Sequence, residues 1–174
     1  AVLPVVRHAL RELLSPNPII VPKGAKMFGH IVGCPQIRQM HAISDVEFWP
    51  GKRLSRSDEV CNWVPPSIPV HTAVLKPPLE VLSSQLQFAE FDFGRPFPEG
   101  AKHSVVETVQ PTGDGRADGL LLHWELQLWD DIMYSSQEGK ENWQDHWLQA
   151  IVPFPRVAQL EKGTDIYLSM GHTE

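Results

Sequence analysis

Cysteine is scarce in this sequence: Cys34 and Cys61 are its only two, far apart and without a CxxC or CxxxC arrangement. That excludes a zinc knuckle and a dense disulfide framework, and makes a reducing compartment, cytoplasm or nucleus, the default. Basic runs are also missing. Fifteen Lys and Arg against twenty-one Asp and Glu give a formal charge of −6, so a phosphate backbone is a poor partner and a cationic peptide a better one. No apolar run approaches the ~20 residues that a membrane-spanning helix needs. Arg7, Arg11 and Glu12 also break the opening segment where a signal peptide would be uninterrupted. Neither nucleic acid nor membrane is therefore expected as a partner.

The common chemical signatures are absent as well. No GxGxxG follows a strand, and there is no GxxxxGK[ST], HExxH or GxSxG, which removes the usual nucleotide, phosphate, zinc-hydrolase and serine-hydrolase readings. The histidines, His8, His30, His41, His71, His103, His123, His146 and His172, form no HxH, HxxxH or HxxE pair that sets two ligands on one face, so no metal site is expected. Asp130, Asp131 and Glu138 flank an expected hairpin turn and read as solvated turn residues rather than an acid–base pair. No catalytic residue is assigned.

What remains is a chain of 174 residues, 42% hydrophobic and 21% charged, the size of one domain with enough apolar content for a core. Val2, Val6, Leu10 and Leu13 recur at helical spacing, broadened by Leu3, Ala9 and Leu14, and Pro16 and Pro18 end the pattern. Beyond it the period is two. Ala25 to Val32 reads as a strand, and in Leu120 to Leu128 the residues Leu120, Leu122, Trp124, Leu126 and Leu128 alternate with Leu121, His123, Glu125 and Gln127, which sends one face to a core. Gln85 to Phe93, Val105 to Val109, Leu148 to Phe154 and Ile166 to Met170 fit the same template between Gly and Pro punctuation. One helix followed by many short strands predicts a mainly β fold, an antiparallel barrel or sandwich.

Residues 34 to 79 keep no sustained period and hold Pro35, Pro50, Pro65, Pro66, Pro69, Pro77 and Pro78. A stretch that long is rarely an idle loop. It is either an inserted arm whose Ile43, Val46, Phe48, Trp49 and Trp63 pack on a partner, or a second lobe folded onto the same barrel.

Recognition chemistry is densest at residues 141 to 154, where Trp143, Asp145, His146 and Trp147 stand immediately before an apolar strand. The imidazole is either a core histidine or part of a binding wall. In the second case an indole offers its π face to a cation, worth about 0.5 to 2 kcal/mol, with Asp145 and His146 as polar guides.

Asp145-His146-Trp147-Leu148-Gln149, followed by an apolar strand and a Pro-containing turn, resembles the Thr-His-Trp loop of the class I protein arginine methyltransferases. The remainder agrees in order. Leu3 to Leu10 and Ile19 to Gly29 resemble the passage from the family's last Rossmann helix through a proline linker into its first barrel strand. Leu86 to Phe93 resembles the strand ending Phe-Asp-Phe, and Leu122 to Leu128 and Gly163 to Leu168 the strands before and after the loop. Asp145 departs from the Thr that names the loop. With Trp143 two residues earlier, this version is most similar to the type III, tandem-module branch associated with monomethylation.

The resemblance implies residues 1–18 as helix and linker from a Rossmann domain and 19–174 as the β-barrel, with a dimerisation arm at about 34–79. It implies S-adenosylmethionine bound by an N-terminal domain absent from this chain, where two glutamates of one loop pair with the substrate guanidinium. His146 would contact an acidic residue of that domain, Trp147 would wall the channel for the arginine side chain, and Asp145 would add negative potential to a narrower pocket. Arginine-containing proteins are the implied substrates, and a homodimer or a tandem-module pseudo-dimer the implied assembly. The family barrel continues past the position of Glu174, so the chain is expected to be part of a larger enzyme and inactive alone. The rival is a non-enzymatic barrel or sandwich module that binds peptide or carbohydrate through exposed aromatics.

Overall fold

The computed structural model describes residues 2–41, 46–50, 52–54, 67–95, 103–143 and 147–172. The predicted helix is present as α1 (Val2–His8), continued by a π-helical turn over Ala9–Leu13 that closes with the Leu14 N–H donating to the Ala9 carbonyl at 3.0 Å. Of its apolar stripe, Leu3, Val6, Ala9 and Leu10 are half-buried, while Leu13 at the end is 70% exposed.

The strands follow as β1 (Gly24–Gly33), then a helix α2 (Pro35–His41), β2 (Val46–Trp49), β3 (Lys52–Leu54), β4 (Ile68–Val70), a 3-10 turn at Thr72–Val74, β5 (Glu80–Val81), β6 (Leu86–Asp92), β7 (His103–Val109), β8 (Gly115–Trp129), β9 (Ile132–Ser135), β10 (Gln149–Leu160) and β11 (Ile166–His172). They build a curled antiparallel sheet in the order β4-β10-β8-β1-β5, with β6 also on β1 and β9 also on β8. Two further ribbons, β7–β11 and β2–β3, complete the described strands. The predicted mainly β, antiparallel fold with a leading helix is thus the one observed.

Close backbone approach sets the curl. A Cβ at Gly29 would stand 2.8 Å from the Phe88 ring and 2.9 Å from Leu122 Cδ2, so only glycine lets β1 pass beneath Phe88. At Gly119 a Cβ would meet the Val152 carbonyl at 2.6 Å. There β8 and β10 pair Gly119 with Pro153 and resume at Ala117 with Ala158, an irregularity containing Pro153 and Pro155. Neither proline has an N–H to give the ladder, and the Phe154 carbonyl instead accepts from Arg38 Nη1 at 3.2 Å. β10 therefore runs through its prolines to Leu160, where the sequence suggested an end at Phe154 and a turn.

Both faces of the sheet are covered over its middle. On one side Ile31, Leu82, Phe88, Val109, Ala117, Leu120 and Leu160 form a core, with Ile166, Leu168 and Met170 of the β7–β11 ribbon packed against it. On the other, Val32, Leu121 and Ile151 meet Cys34, Ile37, Val70 and Leu75. The strict alternation expected of Leu120 to Leu128 is corrected accordingly: Leu120, Leu121 and His123 are all buried. The second core also shows that both ends of the 34–79 stretch are built into the barrel, through α2 and through β4 on β10. Ile43 and Trp63 lie outside the described residues.

At the corner where β1 gives way to α2, Asp118 of β8 is fully buried. Its carboxylate accepts from the Cys34 N–H at 2.9 Å and pairs with Arg116 at 2.7 Å. Charge-assisted bonds from two directions offset the desolvation of this carboxylate.

Candidate functional site

The recognition segment lies between β9 and β10. Asp145 and His146 fall outside the described residues; Trp147 is described and is 41% exposed. Its indole is braced on the barrel side. The Trp147 ring meets Trp124 of β8 edge to face at 4.4 Å and 75°, and Tyr134 of β9 at 5.5 Å and 61°. Trp124 and Tyr134 are themselves 5.5 Å apart. Rings this close leave no gap for a ligand among them, so any guest reaches Trp147 from its solvent side. The inclination also denies Trp124 and Trp147 a shared flat platform of the kind a sugar ring stacks on.

The loop carrying Trp147 is tied at both ends. On the β8 side, the Trp124 N–H donates to Ser136 Oγ and the Ser136 N–H to the Trp124 carbonyl, each at 2.9 Å. Asn142 Nδ2 donates to the Met133 carbonyl at 3.0 Å, and Trp143 forms a bridge with Ser135. Trp143 Nε1 donates to the Trp147 carbonyl at 3.4 Å. On the β10 side, the Glu138 N–H donates to Oε1 of buried Gln149 at 3.3 Å.

Glu138 departs from the solvated turn expected of it. Asp130 and Asp131 do form the exposed turn between β8 and β9, but the Glu138 side chain is only 16% exposed. It receives the Thr72 N–H at 2.9 and 3.0 Å on its two oxygens and also the Thr72 hydroxyl. His71 Nδ1 lies 3.1 Å from Oε1, which places the ring proton on that nitrogen. The His71 ring in turn meets Trp143 edge-on at 6.4 Å and 86°. Sequence reading missed Glu138 because its partners stand 66 and 67 residues away in the chain. No local signal marks such a pairing.

A second polar group sits nearer the sheet. His123 is 1% exposed and stacked between Phe28 at 5.5 Å and His30 at 5.8 Å, and neither of its ring nitrogens has a hydrogen-bond partner among the described residues. Burial first, then the neighbouring His30 and Lys140, push its pKa down from 6.5 to about 4. The imidazole is therefore neutral at pH 7, where it serves as a flat apolar filler.

Among the described residues no group of three or more His, Cys, Asp or Glu is arranged to hold a metal, and no helix is long and apolar enough to cross a membrane. Every ladder between described strands is antiparallel. The described residues thus form no parallel β-α-β crevice with a helix N-terminus aimed at a nucleotide.

No protein-family model matches the chain. It is 24% identical over 198 residues to protein arginine N-methyltransferase 7 of Drosophila yakuba, covering 98% of this chain and 29% of that protein. It is 26% identical over 172 residues to an arginine N(omega)-methyltransferase of Streptomyces achromogenes subsp. streptozoticus, covering 99% of this chain and 45% of that protein. The chain therefore spans less than half the length of these curated relatives. Its fold is similar to that of a chain in the PRMT1 enzyme–prozyme heterotetrameric complex of Trypanosoma brucei with AdoHcy, at a TM-score of 0.66 and 13% identity, over 98% of this chain and 52% of that one. By sequence the chain is similar to arginine N-methyltransferases, and its mainly antiparallel fold matches that of a chain of the PRMT1 complex.

Proposed function

We propose that this chain is the substrate-side barrel of an S-adenosylmethionine-dependent protein arginine methyltransferase, with Trp147 walling the channel of the arginine side chain and Asp145 and His146 beside it. The observation that carries this reading is Trp147 itself. One side of the ring is fixed against Trp124 and Tyr134 while the residue stays 41% exposed at the mouth of β10, in a chain that matches arginine methyltransferases from end to end. A guanidinium is always charged near neutral pH, so a fixed π face and an acidic surround suit it. Asp145 adds negative potential there and narrows the space around a methylated product, which favours monomethylation. The barrel positions the side chain; the carboxylates that grip the guanidinium and the cofactor site belong to the rest of the protein.

In the whole protein, Trp147→Ala is expected to lower kcat/KM for an arginine peptide by about 2- to 30-fold, the loss of one cation–π contact, with the KM for S-adenosylmethionine unchanged. Equal losses toward peptide and cofactor would refute the assigned role.

The 34–79 stretch is proposed as the arm that docks on a second module, whether a second copy or a tandem repeat. Its two ends are rooted in the outer core, at Cys34 and Ile37 and at Val70 and Leu75, which supports a stretch held firmly to the barrel at its base. Deleting residues 44–66 from the whole protein should convert the assembled species to a single module in sedimentation analysis; an unchanged sedimentation coefficient would remove the arm.

A further inference from the structure

We infer that Glu138 is a positioning residue for the Trp147 wall, acting through His71 and Trp143. The inference rests on the reading of Trp147 as part of the arginine-accepting rim.

A largely buried carboxylate on a loop is retained at a desolvation penalty, and here both oxygens are used. Thr72 offers its N–H to the two oxygens and its hydroxyl to one of them, and His71 offers Nδ1 to the other. Thr72 and His71 belong to the turn that follows β4, a different part of the barrel from the β9–β10 loop. The carboxylate therefore clamps that loop to a rigid neighbour. From there the contacts run in one direction: the His71 ring fixes the edge of Trp143, and the Trp143 indole N–H reaches the Trp147 carbonyl at 3.4 Å. A carboxylate at 138 thus governs the backbone of residue 147, while Trp124 and Tyr134 govern its ring.

Release of the clamp frees Trp143 to turn and lets the Trp147 backbone shift relative to the substrate. Misplacements of about 1 Å are enough to lower turnover substantially when the affected group orients a reactant. Since Glu138 touches neither cofactor nor reacting atoms in this reading, only the arginine substrate should register the change.

The test uses the whole protein labelled with 5-fluorotryptophan, the Trp143 and Trp147 fluorine signals being assigned by Trp→Phe variants. Glu138→Ala is expected to move both signals, leave that of Trp129 in place, and lower kcat/KM for an arginine peptide on the order of tenfold with the KM for S-adenosylmethionine unchanged. Glu138→Gln keeps the shape and one carbonyl acceptor for the Thr72 N–H, and should restore most of both readouts. An unmoved Trp147 signal in Glu138→Ala, or peptide and cofactor parameters that fall together, overturns the inference. A Trp147→Ala protein with undiminished peptide turnover refutes the rim instead, and the fluorine shifts then report the clamp independently of it.

Discussion

Acid should weaken this fold through His123 in a way that can be worked out from its surroundings. The unfolded chain takes up a proton on this imidazole near pH 6.5, whereas the folded chain resists until about pH 4. Between those values the unfolded state binds more protons, so the stability contributed by the neutral ring is present above 6.5 and is lost as the pH falls toward 4. The loss between pH 7 and 4.5 is on the order of 2 to 3 kcal/mol. Because neither ring nitrogen has a partner among the described residues, His123→Leu breaks no hydrogen bond seen there. It should change stability at pH 7 by less than about 1.5 kcal/mol. Urea denaturation of both proteins across this range isolates the term, since carboxylates elsewhere contribute equally to each and cancel in the difference. The difference should shrink or reverse in favour of Leu as the pH falls. Parallel stability curves from pH 7 to 4.5 would show that His123 titrates alike in both states, and the burial argument would fail.

Two further substitutions test the packing. Gly29→Ala puts a methyl within 2.8 Å of the Phe88 ring, and the overpacking should cost about 1–3 kcal/mol, read as a lowered Tm; an unchanged Tm would mean that β6 yields freely. Asp118→Ala strips the buried Cys34 N–H of its acceptor and Arg116 of its partner, with an expected loss of about 2–3 kcal/mol in urea titration that Asp118→Asn partly restores. A loss below about 0.5 kcal/mol would show that water replaces the carboxylate without penalty.

The long apolar alternation around Leu122 and the run from Ala25 to Val32 were legible as central strands because their period survives in the sequence, and observed β8 and β1 contain them. The faces were less legible. Period two assigns His123 to a polar side, but α2 and the turn near Leu75 cover the sheet's outer surface, and that cover comes from segments with no clear period of their own. Proline misled at β10, where a bulge absorbs two residues that cannot donate to a ladder. At the candidate site the concentration of Trp143 and Trp147 before a strand singled out the segment proposed as the rim. The tie between the β9–β10 loop and the turn after β4 was invisible, since Glu138 acquires its partners only when the chain has closed across the barrel.

Asp118, buried and paired with the more exposed Arg116, stands at a bend in the chain. By capturing the amide of the residue that leaves β1, it fixes the heading on which α2 departs. A strand end with a free amide hands the chain on over a broad arc, whereas one whose last amide is held by a buried carboxylate releases α2 in one direction.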